Sequence, residues 1–334
     1  MTPEELHQDA LVIDMTCPIS REPAYVDWFR EGGVTVHAPT VRGFSGGAEV
    51  GLADIGGWHR YCRDRDDAMI IRSAADIETA HRTGKMGLIM HCQGTSLIED
   101  QLDLIDGFAA AGLRVVQLCY NAKNLIGDGA GERTDSGLSD FGVKAVRRLN
   151  QLRLAVDCAH TGHRTSMDAI AFSDAPVIIS HANAKAVHGN LRNVEDELIK
   201  AIAGSGGVVG TVGFPAFLTW DGQPSLDLFI DDIAYKADLV GIDHTGLGID
   251  YYLGQWPVED DARAQKRYEQ MLADGLWRAE QYPPPPYRYP AGIETPRTLP
   301  NLTARMLERG FSQEDVRKVL GLNWLRVLRA IWGG

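Results

Sequence analysis

The sequence predicts one (β/α)8 barrel domain spanning residues 1–334, on three observations. Eight short apolar, β-branched runs recur along the chain, helical patterns lie between most of them, and the runs are continuously apolar rather than alternating. Continuous runs point to strands buried on both faces, the condition of a parallel sheet covered by helices. Eight such units suggest closure into a ring.

The runs are 11–15, 34–37, 87–92, 115–120, 154–158, 177–180, 207–212 and 245–249. Between the third and fourth, Ile98, Leu102, Ile105 and Phe108 recur at spacings of three and four and stop at Gly112, a helical stripe with a glycine end. Between the fourth and fifth, Ser139 stands as a cap before Val143, Val146 and Leu149. An open doubly wound sheet is the rival arrangement. It lacks its usual signature here, because no GxGxxG or phosphate loop follows the first run.

A hydrophobic fraction of 44% and a charged fraction of 23% are ordinary for a globular chain with a sizeable core. A net charge of −12 repels a phosphate backbone and no long Lys/Arg run offsets it, so a small molecule is expected as partner rather than nucleic acid. The acidic opening MTPEELHQDALVID has no basic region followed by a long apolar run, which predicts a cytoplasmic protein without membrane attachment. Cys17, Cys62, Cys92, Cys119 and Cys158 form no CxxC pair and are expected as buried free thiols.

Barrel chemistry gathers at the C-terminal strand ends. There the sequence places Thr16, His37, His91 and Gln93, Tyr120 and Asn121, His160, His181 and Asp250. Histidines ending adjacent strands can share one metal, since neutral imidazoles need only converge at about 2.0–2.1 Å from a zinc ion. An aspartate from the last strand can then exchange a proton with water. The joint arrival of His160, His181 and Asp250 singles them out. His37, His59, His163, His188 and His244 are expected as structural or surface residues, and Asp157 and Asp243 as turn or cap residues. The stretch QYPPPPYRYP, 281–290, reads as an extended surface connection, with Tyr282, Tyr287 and Tyr289 on a rim or subunit contact as the functional alternative.

At these residues the chain resembles the membrane (renal) dipeptidase family of the amidohydrolase superfamily, over most of its length. DCAHTGHRTSMDAI, APVIISHANAKAV, the pair Arg192–Asn193, GLGIDYYLG and the closing helical stretch from 299 follow in the family's order. The resemblance implies that His160 and His181 bind metal, that Arg192 holds a substrate carboxylate, that Asp250 is catalytic and that the protein is a homodimer. The family's His-x-Asp pair on the first strand falls on Thr16 and Pro18, which cannot replace it, so one of two metal positions is expected to be lost. The family's bridging glutamate falls on Gln93 and its substrate-assisting histidine on Tyr120, so that Tyr120 and the adjacent Asn121 are expected to bind substrate.

What remains is a site for one divalent metal, zinc by preference, weakly held or absent, from His160, His181 and Gln93, with His91 as an extra candidate. The expected activity is hydrolysis of a peptide or amide C–N bond in a small carboxylated compound. Two other classes stay open: a catalytically silent barrel that binds a ligand or partner, and a lyase or isomerase using the same pocket.

Overall fold

A computed structural model describes residues 1–333. Its main sheet is parallel and runs through nine strands: β1 (Ile13–Cys17), β2 (Val36–Val41), β3 (Ala68–Ile70), β4 (Met86–Leu88), β5 (Met90–Gln93), β6 (Leu113–Gln117), β7 (Ala155–Asp157), β8 (Val209–Thr211) and β9 (Thr245–Leu247). The hydrogen-bonded path is β7-β6-β5-β2-β1-β9-β8, and the sheet curls. Between its two ends lies the segment 177–180, joined by single parallel bridges from Ile178 to Asp157 and from Ile179 to Val209.

Several expected runs are redrawn. The second extends through Val41 rather than stopping at His37, so Thr40 takes the C-terminal end. The third divides at Ile89. Its first part pairs with β2 and with β3, a three-residue strand too short to stand out in sequence, and its second part pairs with β2 and β6. The sixth run makes isolated bridges in place of a ladder.

Alternate strand residues serve two cores, as period-two geometry requires. Ile13, Met15, Val36, Ala38, Ile89, Val115, Ala155, Ile178 and Val208 form the inner cluster, plugged by Trp324, Val327, Leu328 and Ile331 of the last helix, Asn323–Trp332. Val12, Cys17, Val41, Cys92, Val116, Val156 and Val209 face the surrounding helices. Trp324 donates its indole N–H to the Leu247 carbonyl at 2.9 Å and Asn323 reaches the Thr245 carbonyl, so the plug sits at the end where β9 begins, away from the strand ends that carry the polar residues.

The helix Asp140–Gln151 starts as expected, with Ser139 Oγ accepting the Gly142 N–H at 2.9 Å. The preceding helix begins at Asp103 rather than Ile98, which falls in a 3-10 turn, and ends at Gly112 with φ +117°. All five cysteines are free; Cys62 is only half-buried, against expectation.

Backbone packs tightly around segment 177–180. A Cβ at Gly210 or Gly248 would lie 2.0 or 1.8 Å from the Ser180 carbonyl oxygen. Gly248→Ala is therefore expected to destabilise the chain by about 3 kcal/mol, since backbone rather than a movable side chain must give way. Chemical denaturation of the two proteins checks this; an unchanged midpoint would refute the close approach.

Candidate active site

His160, Asn121 and Asp250 all sit just beyond strands with positive φ, at +59°, +55° and +62°. Non-glycine residues seldom adopt this region, and strain of this kind clusters where side chains must be aimed. His160 and His181 lie edge to face, with ring centroids 4.8 Å apart.

The hydrogen-bond network sets both imidazole tautomers. Asn121 Oδ1, an acceptor, meets His160 Nδ1 at 2.8 Å, while the Asn121 amide N–H2 donates to the Leu276 carbonyl and the Tyr282 hydroxyl. Near His181, Thr16 Oγ1 donates to the Met15 carbonyl and Ser180 Oγ to Asp157 Oδ2, so neither hydroxyl has a proton left for the ring. His181 Nδ1–H therefore donates to Ser180 at 2.8 Å and to Thr16 at 3.1 Å. Each ring then carries a bare lone pair on Nε2, and that of His181 is buried with no partner. Burial, reinforced by the Arg192 charge, holds both imidazoles well below the ordinary histidine range and so neutral.

Asp157 organises this network, a role beyond the turn or cap read from sequence. It does accept the Ala159 and Ser180 N–H groups through Oδ1. Its Oδ2 also accepts His91 Nε2–H at 3.0 Å and the Ser180 hydroxyl at 2.6 Å. His91 thus spends Nε2 on a carboxylate and keeps only its unpartnered Nδ1 for any other purpose.

Gln93, Tyr120, His160, Asp250 and Tyr282 line one chamber of about 130 Å³. Tyr120 stacks on His160 at 4.2 Å and accepts the Trp277 indole N–H. Burial raises the Asp250 carboxyl well above its usual range, Arg192 pulls it back and Asp14 pushes it further up. Arg192 lines an adjoining cavity of about 190 Å³ that His160 shares. It donates Nε–H to the Tyr282 hydroxyl at 3.0 Å and lies over Phe217, yet one terminal nitrogen is buried and unpartnered, and no carboxylate pairs with it among the described residues.

Two sequence expectations are corrected here. Asn121, expected to bind substrate, has its amide engaged by His160, Leu276 and Tyr282. The 281–290 segment is only in part an exposed connection: Pro284 and Pro286 are exposed, but Gln281, Tyr282, Tyr287 and Tyr289 are buried, and Tyr282 lines the chamber. Tyr282 stacks on Trp277 at 4.3 Å, and Tyr289 stacks on Tyr251 and donates its hydroxyl to the Asp250 carbonyl. The missed signal was composition: tyrosines spaced among prolines are amphipathic groups that bury well when their hydroxyls find partners.

As to metal, the donors present are two neutral imidazoles with open lone pairs and the Gln93 amide. The orphaned His181 Nε2 fits a single divalent ion, and the other ring nitrogens are held as ligand imidazoles usually are. Beside these donors, Thr16 is committed to Met15 and His181, and Pro18 offers no side-chain donor.

The curled parallel α/β sheet is shared with solved amidohydrolase and dipeptidase structures. An amidohydrolase structure from Pseudomonas aeruginosa is 33% identical, with TM-score 0.89 and full coverage of both chains. Residues 31–281 and 287–332 match the membrane dipeptidase family, peptidase family M19. The chain belongs to that family. The dipeptidase tcpJ of Claviceps purpurea is 28% identical over 80% of this chain and 56% of its own, and an uncharacterized dipeptidase of Schizosaccharomyces pombe is 27% identical over 80% and 58%. The chain therefore spans little more than half the length of these curated relatives. No helix among the described residues is long and apolar enough to cross a membrane.

Asp14 is a residue the sequence reading passed over. It is wholly buried, accepts the Ile249 N–H through Oδ1 at 2.9 Å and leaves Oδ2 unpartnered. Burial pushes its carboxyl from 3.8 to about 7, against the hydrogen bonds that lower it. Between those values the folded state binds the extra proton, so stability is retained at low pH and falls as pH rises toward 7, by about 4 kcal/mol in all. Asp14→Asn should flatten this slope, gaining on wild type between pH 4 and pH 8. Parallel stability profiles for the two proteins across that range would refute the assignment.

Proposed function

We propose that the chain is a dipeptidase-like hydrolase of a peptide or amide C–N bond in a small carboxylated substrate, working from one closed (β/α)8 barrel domain in the cytoplasm as a homodimer. The observation that carries the reading is the buried Arg192 guanidinium with a free donor and no ion-paired carboxylate among the described residues, beside a chamber lined by Asp250 and the neutral His160, whose ring packs edge to face on His181. A buried charge without a partner is costly, and a substrate carboxylate would satisfy it with charge-assisted bonds. The single bridges through segment 177–180 support ring closure. Family membership favours hydrolysis over the catalytically silent alternative.

His160 and His181, with Gln93, are the residues that would hold one divalent metal, zinc by preference. When bound, it would supply Lewis-acid chemistry to the scissile carbonyl. Arg192 holds the carboxylate and fixes the bond in register, with Tyr282 bracing its Nε. Asp250 takes the proton from the attacking water and delivers it to the departing nitrogen. Tyr120 and Asn121 keep His160 in place.

Equilibrium dialysis against zinc should give at most one tightly held ion per chain, lost in His160→Ala. Two ions per chain would overturn the one-metal site. Arg192→Lys should raise KM for a dipeptide by about tenfold or more with a smaller change in kcat, because lysine cannot reproduce the planar fork. Asp250→Asn should lower kcat by about 100-fold or more. Steady-state kinetics separate the two; equal discrimination between a carboxylated substrate and its amide by wild type and Arg192→Lys would remove the clamp.

A further inference from the structure

The chamber at the strand ends is small for a dipeptide-sized ligand, since ligand pockets commonly hold roughly 300–1,000 Å³. It opens into a larger groove of about 480 Å³, with Arg21, Thr40, Leu253 and Arg267 lining both. This groove also presents Arg42 and Arg60, an unusual concentration of positive charge on a chain whose net charge is −12.

Its charges are unequal in standing. Arg267 is held by Glu259, and Arg42 lies 3.6 Å from Asp54, whose carboxylate also accepts the Arg42 N–H. Glu22 lines the groove as well but is exposed. Arg21 is half-buried, and no ion pair engages it among the described residues. Burial and the neighbouring charges of Arg42 and Arg267 press its pKa downward, with Asp54 and Glu22 offsetting only part of the effect. Thr40, at the junction, is 2% exposed with a buried hydroxyl that has no partner. A guanidinium engaged in no ion pair among the described residues and an unused hydroxyl, both lining the groove and the chamber, offer donors for an oxyanion.

We propose that the groove is a second anion subsite, in which Arg21 and Thr40 receive a carboxylate on the half of the substrate remote from Arg192, so that the preferred substrates are dicarboxylic. The proposal rests on the dipeptidase-like reading above, with Arg192 taking the first carboxylate, and adds the substrate class. Arg21 is a specificity residue and takes no part in bond breaking.

Calorimetric titration with glutarate and with its monoamide, glutaramate, tests the subsite without requiring turnover. Wild type should bind glutarate at least tenfold more tightly than glutaramate, and Arg21→Gln should bring that ratio close to one while Arg21→Lys retains part of it. Thermal melting confirms that the variants fold, and Thr40→Val, which removes only the hydroxyl, should reduce the ratio in its own right. Equal binding of the two probes by wild type, or an unchanged ratio in Arg21→Gln, would overturn the proposal. A parallel assay of Glu-Ala and Gln-Ala hydrolysis addresses the activity separately: no cleavage of either, with glutarate preference intact, would sink the hydrolase reading and leave the subsite standing.

Discussion

The Asp157 carboxylate is the contact on which the candidate site depends. Fully buried on β7, it accepts bonds from Ala159 and Ser180 N–H, the Ser180 hydroxyl and His91, so both oxygens are used. Burial alone would raise its pKa, but the His91 and Ser180 bonds bring it below the usual value and keep it ionised. Through Ser180 it dictates which nitrogen of His181 carries the proton. Through the same residue it secures segment 177–180, which has only single bridges to its neighbours and so needs side-chain support. One buried charge thereby couples the sheet to the tautomer of an imidazole whose Nε2 is left open.

The same logic recurs on the other imidazole with neutral groups. Asn121, in a left-handed conformation, turns its carbonyl to His160 and its amide to Tyr282 and Leu276. Tyr282 in turn braces Arg192. The chain that supplies Tyr282 also supplies Tyr289, which supports the Asp250 backbone, so a single proline-rich segment stiffens two functional side chains. A rigid, low-entropy backbone suits that purpose better than a mobile loop. The site is thus assembled from opposite ends of the chain, and its precision rests on aromatic packing around Phe214, Trp277 and Tyr287.

The residues at which the family resemblance led us to expect departures are engaged in the site. Thr16 stands where a metal-ligating histidine is expected, yet it is no idle replacement: its hydroxyl accepts from His181. Gln93 brings no negative charge to the chamber, which leaves the surrounding arginines less compensated than a glutamate would.

Local sequence determined much of this protein. The apolar runs located most strands, Ser139 and Gly112 marked helix ends, and the segments around His160, His181, Arg192 and Asp250 carried the family resemblance. These are short-range signals, legible because periodicity and motif order are written within a few residues. Tertiary structure alone decided the partners. His91 meets Asp157 across 66 residues and Arg192 meets Tyr282 across 90, separations at which no spacing rule operates. It also decided that β3 exists, that Asp14 is buried with an idle oxygen, and that the tyrosines of 281–290 turn inward. Each of those depends on which surfaces are left uncovered once the sheet has curled, and a linear pattern of residue types holds no measure of that.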